Sequence, residues 1–285
     1  MPLIPETTVP ILLVEQTVEY KVYQHFSSNT GIPFFSKILW FEISKLKYWE
    51  KTYWKRASVV GAVSEDDKKE MLAVDPDLNI QIIPNAAGED LVKLYDPKKI
   101  IMKPNFLFTG NYTWIQNVEA AELLAKKVFP MIRESLPEAH CYIVGQHAKE
   151  KISHLMGENL HVVDIAAADV KSMHGMFKKC SVFISTLEGP GGTRLKILGA
   201  MASGLPVISS ATGLGGLNVV DGVHAFRANS PEDFARIAKK LYDNPRLYQR
   251  IRAAARMLVE KEYDWTRIAA QLEKVYKTLV KKGRS

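Results

Sequence analysis

The chain has 285 residues, 47% of them apolar, enough for one large core or two moderate ones, and a formal net charge of +7. Its two cysteines, Cys141 and Cys180, are too few for a disulfide framework and lack paired-ligand spacing, so buried thiols in a reducing, cytoplasmic compartment are expected. The seven histidines, with the shared interval of His147, His154 and His161, show no ligand pattern, so no metal is implied. No apolar run reaches bilayer length, and there is no signal-like N-terminus. The charge alone suits nucleic acid, an anionic membrane or phosphorylated ligands equally.

In chain order, PILLVE, ASVVGAVS and NIQIIPN give three strand candidates around a long aromatic and basic helical segment, Phe34 to Arg56. No glycine-rich strand-to-helix turn occurs before residue 100, so this part has no phosphate-binding fingerprint. Asp96 to Lys103, with three lysines and a proline on either side of them, reads as a linker. From Pro104 strands and helices alternate. NFLFTG is followed by helical Val118 to Ile132, CYIVG by Glu150 to Met156, LHVVDI by Val170 to Lys179, and SVFIS by a glycine-rich block. PVISS, a Gly213 to Gly216 loop and HAFRA follow. Short continuous apolar strands alternating with helices predict a parallel sheet covered on both faces. After Pro231 the chain reads as helix nearly to its end, with breaks at Asn244 and Pro245 and around Tyr263 and Asp264.

The glycine-rich block, GPGGTRLKILGAMASGLPVIS at 189 to 209, opens a helix whose predicted N-cap is Thr193. The positive end of a helix dipole favours carboxylates, yet the first turn offers Arg194 and Lys196. An anion would resolve this conflict, held by the backbone N–H groups of Gly191, Gly192 and Thr193 and by the two cations. The bland alternative is a solvated loop with two surface cations. Gly199, in mid-helix, runs against local preference by about 1 kcal/mol relative to alanine. Two further clusters fall at strand ends. FTGNYTWIQN supplies Gly110, Asn111, Trp114 and Asn117, or else ordinary turn chemistry with Trp114 as a core cover; SSATGLGGLN supplies Ser209, Thr212 and Gly213. In open parallel sheets ligands sit beyond the carboxyl ends of the strands.

Taken together, FTGNYTWIQN, YIVG, the GGTRLKIL block, TGLGGL and YDW at 263 to 265 resemble the family-4 glycosyltransferases of the GT-B fold. AVSEDDKKEM followed by IIPNA resembles the family's segment before the interdomain linker. The resemblance implies two facing Rossmann-like domains with a helical C-terminal segment. It places a partial, acceptor-side N-terminal domain at 1–97 and a nucleotide-sugar (donor) domain with terminal helices at 98–285, the chain beginning midway through the first. It implies metal-free, cofactor-free sugar transfer from a nucleotide-diphosphate sugar to a glycan or lipid-linked hydroxyl acceptor. Gly191, Gly192, Thr193, Arg194 and Lys196 would hold the diphosphate, with Gly110, Asn111, Trp114 and Asn117 bordering it and Ser209, Thr212 and Gly213 lining the same cleft. No catalytic residue is assigned.

Three positions depart from the family pattern. Gly199 replaces a glutamate that binds the donor ribose, Gln16 and Thr17 replace histidine and asparagine, and Ile165 replaces a glycine near the base. A degenerate, non-catalytic nucleotide-sugar or partner-binding module is the alternative. Nucleic acid is not expected as a partner, since basic clusters with base-stacking platforms are missing. Phe34 to Arg56 reads either as a peripheral contact with the inner face of a membrane or as a helix packed into its domain with snorkelling lysines. A half sheet with an unpaired edge predicts self-association or dependence on an upstream segment.

Overall fold

The computed structural model describes residues 7–29, 33–100, 103–189 and 194–282, and the side chains of all of these except 29, 33–38 and 282. Among the described residues nine short strands form two parallel sheets. The first contains β1 (Leu12–Glu15), β2 (Val59–Ala62) and β3 (Ile80–Ile82) in that order. The second contains β4 (Asn105–Asn111), β5 (His140–Gln146), β6 (Leu160–Asp164), β7 (Val182–Ser185), β8 (Val207–Ser209) and β9 (Phe226–Arg227). Its order is β6-β5-β4-β7-β8-β9, the doubly wound arrangement expected from the alternation of apolar strands and helices. The chain winds outward in one direction from β4 and in the other from β7. The crevice between their carboxyl ends is therefore the switch point, where ligands lodge in such sheets.

Burial explains why these strands read as continuous apolar runs. Phe106, Leu107, Phe108, Ile143, Val144, Phe183, Ile184, Val207 and Ile208 are all essentially inaccessible, because helices cover both faces of the sheet. The two cysteines are buried thiols, pushed up in pKa chiefly by burial. β1 differs. Every residue in it is half-buried, whereas all four of β2 are buried, because β1 pairs only with β2 and is an edge strand among the described residues.

Three sequence expectations are revised. The Gly213 to Gly216 loop begins as a one-turn helix, Ala211–Leu214, because the Ser210 hydroxyl accepts from the Gly213 N–H and caps it. The helix read at Val118 to Ile132 is longer, running from Ile115 to Ser135 through a π-helical turn, Leu124–Val128. The segment starting at Asp96 is bolted to the second domain. Fully buried Arg252 donates to the carbonyls of Asp96 (2.6 Å), Lys99 (2.6 Å) and Gly204 (2.8 Å), lying between the rings of Tyr95 and Tyr248. Arg256 adds bonds to Val92 and Ala202 carbonyls, both 2.7 Å. The chain returns to the first sheet at its end: Ile268 on the last helix, Trp265–Lys282, packs with Ile83 and Ala86.

Candidate functional site

A cleft of about 670 Å³ lies between the helices that follow β1 and β2 and the segments after β7 and β8, lined by Lys21, Asp67, Glu70, Arg194 and Thr212 among others. A neighbouring crevice of about 330 Å³ joins Gln16, Trp114, Asn117, Arg194 and Lys196. A third of about 350 Å³ joins Gly110, Gly145, Ile165, Asp169 and Lys196. All three meet at the start of the helix Leu195–Ala202.

Gly191, Gly192 and the predicted cap Thr193 lie outside the described residues. Arg194 itself occupies the N-cap position, with no side-chain capping bond. It is not a surface cation. The residue is 8% exposed, donates from Nη2 to the Gly189 carbonyl and, among the described residues, leaves Nε buried without a hydrogen-bond partner. Burial lowers its pKa to about 10, against the opposing pull of Asp67. Lys196 is half-buried and lies 4.9 Å from the centroid of the Phe108 ring. Its Nζ donates to Asn117 Oδ1 at 2.6 Å, and burial, reinforced by Arg194, lowers its pKa to about 7. A buried guanidinium N–H without a partner carries a desolvation cost that a bound acceptor oxygen would relieve.

Asn117 is the bracket that holds Lys196. Buried at the start of its helix, it donates to the Asn111 carbonyl at 2.7 Å while accepting from Lys196. A β-carbon on Gly110 would lie 3.1 Å from Asn117 Cγ, so glycine there lets the bracket close. Asn111 accepts from Thr113 N (3.0 Å) and Oγ1 (2.8 Å), which makes it a turn former. Trp114 is not a core cover: it is 55% exposed on the crevice wall, which suits stacking rather than packing. Ser209 and its register partner Ser185 are fully buried with unpartnered hydroxyls, directly beneath Gly213. Thr212 is exposed into the cleft.

The opposite wall carries Asp66, Asp67 and Glu70 beside Lys21, and the sequence reading missed these carboxylates. Ser64 caps the helix of Asp67, accepting from its N–H and donating to its carboxylate at 2.5 Å, and burial raises the pKa of Asp67. Away from these crevices, Glu15 accepts from Trp54 Nε1 at 2.9 Å and is also raised by burial. Serine followed three residues later by a carboxylate, as in SEDD, is a capping signal that could have located Asp67 at a helix start, though not across from Arg194.

Comparison with known proteins bears on this geometry. Residues 103–244 match the family described as Glycosyl transferases group 1. Sucrose-phosphate synthase from Thermosynechococcus elongatus superposes with a TM-score of 0.71 at 16% identity, over 95% of this chain and 68% of that one. Anabaena HepE, solved in complex with UDP and glucose, superposes at 0.66 with 15% identity, over 94% of this chain and 71% of its own. The fold is GT-B. An uncharacterised 44.6 kDa protein from the cps region of Klebsiella pneumoniae is 24% identical over 176 residues, 60% of this chain. This chain spans 45% of that relative's length.

Two of the three departing positions line the crevices. Gln16 accepts from Asn85 Nδ2 at 2.8 Å and, with Thr17, lines the crevice of Lys196. Buried Ile165 lines the third crevice. Gly199 is instead buried against the short helix Glu89–Val92, and a β-carbon there would lie 2.6 Å from Leu91 Cδ1. The neighbouring Asp90 bonds His174 Nε2 at 2.8 Å, which fixes that helix over the crevice. Among the described residues no cluster of three metal-ligating side chains occurs.

Proposed function

We propose that this chain acts as a glycosyltransferase, moving a sugar from a nucleotide-diphosphate donor to a hydroxyl acceptor in cell-surface glycan or polysaccharide synthesis. The observation that carries the reading is Arg194, buried with a bare Nε beside Lys196 at the switch point. Sugar transfer leaves growing negative charge on the departing diphosphate, and preorganised cations in a half-dry cleft stabilise that charge more than water does. Gly191, Gly192 and Thr193 would add backbone donors, while Gly110, Asn111, Trp114, Asn117, Ser209, Thr212 and Gly213 would shape the donor site around them. Asp67, on the opposite wall, would meet an acceptor hydroxyl. In this account residues 1–97 serve the acceptor and 98–285 the donor. The cps-region relative favours a polysaccharide product; its synthesis would take place at the cytoplasmic face of a membrane. Association of copies through the β1 edge is part of the same proposal.

Leu91 supports a second reading. It fills the space beside Gly199 where a side chain could reach a donor, as a non-catalytic nucleotide-sugar or partner-binding module would tolerate. Incubation with a panel of UDP-, GDP- and dTDP-sugars and polyprenol-linked acceptors, read by release of nucleoside diphosphate, separates the two. Acceptor-dependent release with one donor supports transfer. Tight diphosphate binding without release from any donor leaves the binding module.

A further inference from the structure

The helix Pro33–Arg56 has two unlike sides. One packs into the first domain through Leu39, Ile43, Leu46 and Trp54, the last fully buried. The other holds Trp40, Phe41, Tyr48 and Trp49, which are 68%, 59%, 64% and 48% exposed. Snorkelling lysines over a packed helix therefore do not account for the aromatic residues: the packed side uses Trp54, and these four rings face water. Such a ring buries about 150–250 Å² when it finds a partner, so four within ten residues of one helix are an unfilled contact. Trp49 stacks on Tyr53 at 5.7 Å and meets Tyr48 edge-on at 5.5 Å, which holds the rings as a preformed platform.

Cations are interleaved with these rings. Lys45, Lys47, Lys51, Lys55 and Arg56 stand against Glu42 and the buried Glu50 on the same helix stretch. Lys45 pairs with Glu42 at 3.1 Å and lies 5.6 Å from the Phe41 ring centre. Lys51 and Lys55 share Asp75, at 3.5 and 3.0 Å, so the side stays positive. Tryptophan and tyrosine have an apolar body and a polar edge, and with flanking lysines they match the headgroup layer of an anionic bilayer. No described helix is long and apolar enough to cross a membrane, so the contact would be peripheral.

We propose that this side seats the chain on an anionic lipid bilayer, with the four rings at headgroup level and the lysines against lipid phosphates. The proposal goes beyond sugar transfer and does not depend on it. Flotation with vesicles of phosphatidylcholine alone, or with about 30 mol% phosphatidylglycerol, tests it. The full chain should float with the anionic vesicles, about tenfold less with neutral ones, and less at high salt. Replacing Trp40, Phe41, Tyr48 and Trp49 by serine should cut binding by about tenfold or more, with the melting temperature held because these side chains are exposed. Lys45→Glu with Lys47→Glu should weaken anionic binding by about tenfold and leave neutral binding unchanged. A wild-type chain that does not float, or serine variants that float as well as it does, overturns the proposal. So does light scattering that shows a dimer lost in the serine variant while vesicles stay unbound, since a second copy would then be the occupant.

Discussion

The two sheets bury ions of opposite sign. Around the first, three carboxyls, Glu15, Asp67 and Glu50, are raised by desolvation, Glu50 to about 7. Around the second, three cations, Lys99, Arg194 and Lys196, are lowered by desolvation, to about 8, 10 and 7. Burial penalises either charge, so what distinguishes a structural ion from a ligand-binding one is how fully its hydrogen bonds are met. Lys99 donates to three carbonyls, of Phe177, Lys178 and Cys180, and Arg252 to three more and to Gln249. Arg194 has one carbonyl and a bare Nε, and Lys196 bonds one amide oxygen. The satisfied cations hold the fold, and in the proposed function the less satisfied ones take the oxygen atoms of the donor diphosphate.

The largest effect expected from this contrast is on stability. Arg252→Ala would strand three buried carbonyls and open a hole between two tyrosines, a loss on the order of 3 kcal/mol or more. Chemical denaturation checks it, and a loss below about 1 kcal/mol would deny Arg252 its structural part. Next comes the Gly199 contact. Gly199→Ala alone should lose about 1–3 kcal/mol to overpacking against Leu91, less the helix gain of about 1 kcal/mol. In a Leu91→Ala background the same change should stabilise by about 1 kcal/mol, and a thermal double-mutant cycle with no coupling would remove the contact from the account.

A third effect is on binding. With its amine near 7, Lys196 is increasingly neutral above that pH, so diphosphate binding must take up a proton there. Affinity for UDP should then fall, at most about tenfold per pH unit, between about pH 7 and 8.5. Lys196→Arg should flatten the dependence because a guanidinium stays charged. Titration calorimetry in buffers of different ionisation enthalpy reads the proton directly, and equal uptake by the two proteins would clear Lys196 of it.

The smallest effect falls beside the first sheet. Glu50 accepts from the backbone N–H groups of Glu19 (2.7 Å) and Tyr20 (3.3 Å), and burial holds its carboxyl proton more tightly folded than unfolded. That contribution to stability is complete below the ordinary carboxylate range and is lost as pH rises through about 7. Melting temperature should therefore decline by a few degrees from about pH 5 to 8, and less steeply in Glu50→Gln. Parallel curves would place the titration elsewhere.

The second sheet was largely legible in the sequence because its strands are buried on both faces and read as unbroken apolar runs. Arg194 and Lys196 were legible for an electrostatic reason, since a first helical turn with two cations and no carboxylate is conspicuous. What stayed hidden depends on contacts distant in sequence. Asp96 to Lys103 reads as a linker, and its bonds to Arg252, some 150 residues away, leave no sequence signal. Gly199 looked like a lost ligand site because Leu91, its neighbour in space, gives no signal in a helical pattern. The place of Asp67 on the cleft was invisible because it lies far in sequence from Arg194, the cation it faces. The exposed rings of the long helix could not be told from its buried Trp54 by composition, since both belong to one aromatic stretch.

Titration calorimetry of UDP into the wild-type chain and into Arg194→Ala at pH 7 tests the central claim most directly. A charge-assisted bond to phosphate contributes about 1.5–3 kcal/mol, so the variant should bind roughly tenfold to a hundredfold more weakly. Its melting temperature should stay close to that of the wild type, because the lost guanidinium is buried and incompletely bonded. Equal affinity in the two proteins, or no detectable UDP binding by the wild-type chain, would contradict the account.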